Sequence, residues 1–118
     1  MARYKTLAPG ELAAACARID AGEAARADLA ALTRHFLAVL EQRSPGHSVE
    51  VRVPPFGAVQ VIEGAKHTRG TPPAVVETDP ATWVALARGA LAWSDARSAA
   101  RVTASGERSD LTPHLPLV

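Results

Sequence analysis

The sequence predicts an α+β fold in which helices cover one side of a largely antiparallel sheet. Two helical segments with apolar stripes come first, and short segments with strand-like alternation follow them. Pro and Gly then mark the bounds of further short helices. We expect a single domain over residues 1–118, in which residues 1–45 form the N-terminal helices and residues 48–118 form the sheet and the C-terminal helices.

Two helices are predicted in the N-terminal part. The first runs from Pro9 to Asp20, and Gly22 is its stop signal. Its apolar face consists of Leu12, Cys16 and Ile19. The second runs from about Ala24 to Gln42, and Ser44-Pro45-Gly46 ends it. Its apolar residues keep helical spacing over three turns, so this stripe must bury against the sheet. They are Leu29, Leu32, Phe36, Val39 and Leu40.

Three strands are predicted next. The segment Val49–Val53 alternates valines with charged residues, which is the period of a half-buried strand, and Pro54-Pro55 ends it. Phe56–Ile62 is apolar on both faces apart from Gln60, so we expect a more central strand that is buried on each side. Ala74–Thr78 is a short strand that leads into the next helix.

The C-terminal part carries clear helix boundaries. Asp79 is suited to cap a helix, because its carboxylate accepts hydrogen bonds from free backbone N–H groups, and Pro80 needs no partner at the first helical position. Gly89 ends this helix. Trp93 leads into a second short helix with a mostly alanine inner face. Arg101–Ser105 alternates as a strand, and a small closing helix follows.

Composition narrows the range of functions. With 47% hydrophobic but only 4% aromatic residues, the core must be built from alanine, valine and leucine. The net charge is only +1, and the arginines are scattered evenly along the sequence. They are not clustered into the basic patch that binds a phosphate backbone, so nucleic acid is not an expected partner. Cys16 is the only cysteine, which excludes an intrachain disulfide and suits a reducing cytoplasm.

Membrane insertion and catalysis are not expected either. The sequence has no secretory leader pattern and no stretch approaching the roughly twenty apolar residues of a membrane span. It also lacks HExxH, CxxC, a Gly-rich phosphate loop and GxSxG. The four histidines lie in different segments, and His35, beside Phe36 but off the main stripe, is expected at the surface or its boundary. We therefore expect no catalytic residue, no metal ligand and no cofactor.

The polar loop His67–Pro73 is the segment whose composition suggests ligand contact. It carries an imidazole at His67, a guanidinium at Arg69 and two threonine hydroxyls, and prolines follow them. Such a loop could hold a carboxylate or phosphate head group. The alternative is that Arg69 and Thr71 only satisfy backbone carbonyls within a long connection.

The order of these parts and several sequence stretches resemble the sterol carrier protein family. The stretches are VEVRVPPFGAVQVIEG, HTRGTPPAVVETDP, DPATWVALARG, LAWSDA, RVTASGERSDL and HLPL. Together they cover the chain from Ser48 onward and are most similar to a bacterial, actinobacterial-type branch. Ala100 departs from the pattern, because the family usually has a glycine ahead of the last strand. The added Cβ puts the tightness of this helix-to-strand junction in question.

The resemblance implies a sheet of about five mainly antiparallel strands covered by helices, with an apolar tunnel between the layers. It also implies non-catalytic binding or transfer of an apolar lipid-like small molecule, either fatty-acyl or sterol-like. The residues expected to line the ligand site are Val51, Val53, Phe56, Val59, Val61, His67, Arg69, Trp83, Leu86 and Leu91. For Trp83 and Trp93, core packing is the alternative to ligand contact.

Two other functions are also compatible with the sequence. Domains of this fold also form the C-terminal part of thiol-cofactor-dependent isomerases and transferases, so the chain could be an accessory domain in such a system. Residues 1–45 are too few for a metal-binding helical bundle and lack its clustered histidines, which argues against catalysis by this chain alone. The third hypothesis is a structural one, in which the N-terminal helices form a homodimer face and the tunnel has collapsed.

Overall fold

The described part of the protein has two layers, with helices on one side and a sheet on the other. A computed structural model describes residues 3–64, 74–106 and 108–118. Its elements in chain order are α1 (Pro9–Asp20), α2 (Arg26–Arg43), β1 (Val49–Val53), β2 (Gly57–Val61), β3 (Ala74–Thr78), α3 (Pro80–Arg88), α4 (Trp93–Ser98), β4 (Val102–Ser105) and a 3₁₀ turn at Thr112–His114. These bounds confirm the predicted elements to within two residues at each end.

The described strands lie in the order β2-β1-β3-β4. β1 pairs antiparallel with β2, and β3 pairs antiparallel with β4. The central pair, β1 with β3, is parallel. The prediction of mainly antiparallel pairing is therefore confirmed for the outer pairs. Four strands fall within the described residues, and a fifth stays a prediction.

The prediction that β2 is a central strand was wrong. Within the described sheet β2 lies at one end, with Gln60 exposed and Ala58 only half-buried. Val59 and Val61 face the core, as half-buried alternation requires. The apolar pattern was misleading because Ala58, which shares the outer face with Gln60, has little side-chain surface to bury, so its apolar character does not require a covering layer.

Helix boundaries in the C-terminal part follow the capping residues. The Asp79 carboxylate accepts a hydrogen bond from the Thr82 N–H at 3.0 Å, and Gly89 ends α3 in the left-handed region at φ 77°. Ala100 follows α4 in the same region, at φ 57°. The departure noted at Ala100 therefore falls at a position that favours glycine.

The core lies between the inner face of the sheet and the helices α2 and α3. The valines of β1 face it in register with those of β2, since Val49 pairs with Val61 and Val51 pairs with Val59. Helix α2 contributes the buried residues Leu32, Phe36, Leu37 and Leu40. The apolar face of α1 packs against the same core through Leu12, Cys16 and Ile19. The stripes predicted for both N-terminal helices thus serve packing within the chain.

Candidate functional site

The four valines predicted to line the site share one face of the sheet. Val51, Val53, Val59 and Val61 alternate inward on β1 and β2, and none is more than 3% exposed. Val51 lies directly opposite Val59, so their side chains are neighbours on the buried face. The sheet thus supplies a continuous apolar surface, which we call the valine face.

Helix α3 supplies the predicted residues on the opposite side of the layer. Trp83 and Leu86 are buried and belong to the same hydrophobic cluster as the valine face. The Trp83 indole N–H donates a hydrogen bond to the Thr33 carbonyl oxygen of α2 at 3.2 Å. This bond joins α3 to α2, so the two helices cover the sheet together. We call the space between them and the valine face the apolar layer.

A polar junction positions the start of α3. The Thr82 hydroxyl donates to Asp79 at 2.6 Å and accepts a hydrogen bond from the Arg101 guanidinium at 3.1 Å. Burial opposes ionisation of Asp79, but the hydrogen bonds from Thr82 and the nearby Arg101 outweigh it and lower the pKa of the Asp79 carboxyl. The charge of Asp79 thus stabilises the helix N-terminus that carries Trp83.

Phe56 and Leu91 lie at the margins of the layer. Phe56 is half-buried in the turn between β1 and β2, where the Arg26 guanidinium lies 5.0 Å from its ring centre. Its carbonyl oxygen accepts a hydrogen bond from Arg34 at 3.0 Å. Leu91 is half-buried in the loop after α3. His67 and Arg69, the polar members of the predicted set, lie outside the described residues.

The predicted set omitted the contribution of α2. This helix supplies much of the apolar layer, and it also places the Thr33 hydroxyl there without any exposure and without a hydrogen-bond partner. The sequence signal for Thr33 is weak, because it is one polar residue inside an apolar helical stripe. The stripe itself predicted contact with the sheet correctly.

His35 is buried, so its predicted placement at the surface or its boundary was wrong. Only 6% of the residue is exposed, and its Nδ1 accepts a hydrogen bond from the Leu7 N–H at 2.9 Å. The ring meets Phe36 edge-on at 4.9 Å between centres. Burial lowers the pKa of the imidazole. The chain ahead of α1 covers this residue, which helical periodicity within α2 could not reveal.

Two clefts among the described residues are bordered by outward-facing strand residues, on the side of the sheet opposite the valine face; the first is mainly polar and the second mainly apolar. One, of about 410 Å³, is bounded by Arg3, Glu41, His47, Glu50 and the neighbouring β2 residues Ala58, Val59 and Gln60. The other, of about 370 Å³, is bounded by Arg52, Pro54, Pro55, Gly57, Ala58 and Glu77. Of the predicted lining residues that the structure describes, only Val59 borders either cleft.

Residues 3–64, 74–106 and 108–118 contain no cluster of three or more His, Cys, Asp or Glu placed to hold a metal ion. Within the same ranges, no helix has the length and apolar character needed to cross a bilayer. Hydrogen bonds from Arg88 and Arg18 lower the pKa values of Asp20 and Asp28, and these two ion pairs join α1 to α3 and α1 to α2.

The fold and the apolar layer define a class of small α+β proteins whose helices enclose apolar surface against a sheet. A family model described as "Bacterial SCP ortholog" matches residues 25–117, about four-fifths of the chain. The protein therefore belongs to this bacterial family related to sterol carrier protein. The match leaves the actinobacterial branch a prediction. No curated protein matches the chain.

Proposed function

We propose that the protein binds an apolar lipid-like small molecule, fatty-acyl or sterol-like, and carries it without catalysing a reaction on it. The family match carries this proposal, because residues 25–117 include every described strand and both helices that cover the valine face. Membership of this family suggests lipid binding or transfer as the general function. The identity of the ligand and the presence of a tunnel are part of our proposal.

The chemistry of the apolar layer supports an apolar ligand. Its described walls are the valine face, Trp83, Leu86 and the buried apolar residues of α2. The buried polar residues of the described chain are limited to Thr33, His35, Ser48, Thr78 and Thr82. No buried carboxylate or ammonium is among them. Removing apolar surface from water contributes about 25 cal/mol per Å², less the cost of ordering the ligand, so an acyl chain could gain affinity here without a charged partner.

In this proposal the ligand occupies a tunnel that opens between the two layers. The valine face, Trp83 and Leu86 belong to one buried hydrophobic cluster, so a ligand that enters between them has to separate α3 from the sheet. Helix α3 is short, at 9 residues, and Gly89 follows it directly. Its movement relative to the sheet would expose the valine face to a ligand.

We further propose that His67 and Arg69 hold a charged head group where the tunnel meets solvent. A guanidinium binds a carboxylate through charge-assisted hydrogen bonds, which are stronger than neutral ones. Arg69→Ala should then weaken binding of a fatty acid by about 1.5–3 kcal/mol and leave an uncharged sterol nearly unchanged. Titration of both ligands against the variant tests this role, and equal losses for the two would assign the loop a structural role.

A charge placed in the apolar layer tests the site itself. Val59 is 3% exposed on the valine face, whereas Gln60, the next residue of β2, is exposed on the opposite face. Val59→Asp should abolish micromolar binding of a fluorescent fatty-acyl analogue, and Gln60→Asp should retain it. Thermal unfolding is measured on both variants. A folded Val59→Asp protein that does not bind supports a ligand tunnel, whereas an unfolded one indicates a tightly packed core.

The alternative function as a homodimerisation module has less support than lipid binding. The dimer hypothesis needs an apolar face on the N-terminal helices, but the stripe of α1 packs within the chain and Val118 is the exposed large hydrophobic residue of the described part.

A cytoplasmic location is also part of the proposal, because Cys16 is a free thiol and suits a reducing compartment. Cell fractionation tests the location, and native mass spectrometry shows whether a lipid or a protein partner copurifies.

A further inference from the structure

The Thr33 side chain differs from the other buried hydroxyl groups of the described chain. The hydroxyls of Ser48 and Thr78 donate to the carbonyl oxygens of Ile62 and Arg101. Thr82 is also paired, as described above. The Thr33 hydroxyl oxygen is fully buried and has no partner at all. The sequence therefore leaves one hydroxyl unpaired where its other buried hydroxyls are satisfied.

An unpaired buried hydroxyl is costly and calls for an explanation. A threonine inside a helix commonly donates its hydroxyl proton to the carbonyl oxygen one turn earlier, but Thr33 does not make this bond. The native structure thus bears the cost of desolvating a polar group without compensation. Valine has nearly the same shape and would avoid this cost entirely. A ligand oxygen placed next to this hydroxyl would offset the cost.

The position of Thr33 links this hydroxyl to the apolar layer. Its backbone carbonyl accepts the Trp83 indole hydrogen bond, so the residue lies where α2 meets α3. One helical turn later, Phe36 and Leu37 are fully buried in the core. His35 is two positions away and therefore on another face of the helix, where it binds Leu7. The buried residues of the described chain include no lysine or arginine that could pair with an anion there.

We propose that the Thr33 hydroxyl binds an uncharged oxygen of the ligand, such as the hydroxyl or carbonyl group of a fatty alcohol, an ester or a sterol-like lipid. This inference rests on the proposed lipid-binding function and narrows its ligand class. A neutral hydroxyl can donate to or accept from such an oxygen. A carboxylate at the same place would be buried without a cation, which is much less favourable. Specificity thus arises from one hydrogen bond in an apolar environment, because a ligand lacking the oxygen leaves Thr33 unpaired.

The test compares 1-hexadecanol with palmitic acid as competitors for a bound fluorescent fatty-acyl probe. Thr33→Val should weaken hexadecanol about tenfold, equivalent to about 1.4 kcal/mol, and leave palmitic acid within about twofold. The same variant should raise the melting temperature of the ligand-free protein by about 2–4 °C, since it removes an unpaired buried hydroxyl. Thr33→Ser keeps the hydroxyl and should retain the wild-type ratio of the two affinities, even if its loss of a methyl group lowers stability.

Thr78→Val is the matched control, because it removes a buried hydroxyl that is paired with the Arg101 carbonyl oxygen. It should lower the melting temperature and keep the wild-type affinity ratio. If Thr33→Val leaves that ratio unchanged, or destabilises the protein as Thr78→Val does, the proposal for Thr33 is wrong while lipid binding stands. If the wild-type protein binds neither competitor nor the probe, the lipid-binding function fails, and the proposal fails with it.

Discussion

Replacing Ala100 by glycine should stabilise the protein, although the substitution removes a side chain. Ala100 follows α4 with φ 57°, in the left-handed region. Its N–H donates to the Arg97 carbonyl at 3.1 Å, and the Arg101 N–H donates to the Ala96 carbonyl at 2.9 Å. This pair of hydrogen bonds is the Schellman motif, whose left-handed residue is usually glycine. The bonds fix the backbone of Ala100 in a conformation that its Cβ disfavours.

The expected gain follows from two opposing terms. A left-handed conformation costs an L-residue with a Cβ about 1–2 kcal/mol. Glycine removes this strain but adds about 0.4–1 kcal/mol of unfolded-state entropy. The net stabilisation of Ala100→Gly should therefore be about 0.5–1 kcal/mol. At about 2.1 cal/mol/K per residue, unfolding of the 118-residue chain carries an entropy near 0.25 kcal/mol/K, so the melting temperature should rise by about 2–4 °C.

Ala99→Gly is the control for this prediction. Ala99 lies one residue earlier with φ −86°, where alanine is unstrained, so glycine there adds only unfolded-state entropy. Ala99→Gly should lower the melting temperature by a similar amount, giving the two adjacent substitutions opposite signs. Differential scanning calorimetry of both variants measures the difference. Loss of stability in Ala100→Gly, equal to that in Ala99→Gly, would refute the argument that strain at Ala100 outweighs entropy.

Two further predictions concern titration and capping. Because burial lowers the pKa of His35, the unfolded chain takes up its proton first, so stability should be complete above about pH 6.5 and decline as pH falls through the folded pKa. His35→Asn preserves an acceptor for the Leu7 N–H without titrating, so urea unfolding of this variant between pH 7 and pH 5 should lack that part of the decline. Asp79→Ala should cost about 1–2 kcal/mol by removing the cap of α3, whereas Asp79→Asn should cost less. Equal losses for the two Asp79 variants in urea unfolding would contradict the capping argument.

Helix and strand positions could be predicted from the sequence because their signals are local. The Asp79-Pro80 start and the Gly89 stop define α3 through capping chemistry alone. The valines of β1 give its buried face through alternation. Strand order is not local, and β2 was misplaced for that reason. A run of small and apolar residues is compatible with a central strand. It is equally compatible with an edge strand whose solvent-facing side chains are too small to need burial.

The candidate site divides in the same way between local and tertiary signals. The four valines, Trp83 and Leu86 were found together because strand and helix periods assign each of them an inward direction. Phe56 has no such direction, since it lies in the turn between two strands. Thr33 was missed because nothing in one helix shows that a threonine hydroxyl lacks a partner. That fact depends on what α3 and the sheet place around it.

The chain ahead of the family match contributes to the packing of the matched part. The hydroxyl oxygen of Tyr4 accepts a hydrogen bond from the Ala58 N–H of β2 at 3.2 Å. A Cβ at Gly57 would lie 2.6 Å from that hydroxyl oxygen, so any larger residue there would displace the Tyr4 side chain. This segment thus contacts β2 directly, and Tyr4, Leu7 and the apolar face of α1 pack against the same core.

His35 gives this packing a consequence for the candidate site. It lies on α2 beside Phe36, which is part of the apolar layer, and its Nδ1 is satisfied by the Leu7 N–H. Without that donor, the imidazole would either remain buried with an unpaired nitrogen or turn outward to water, and each choice would cost stability or disturb the packing of Phe36. The shape of the apolar layer thus depends on a residue outside the family match. Ligand binding by this protein should therefore be measured on the full chain, because residues 25–117 alone lack the group that keeps His35 buried.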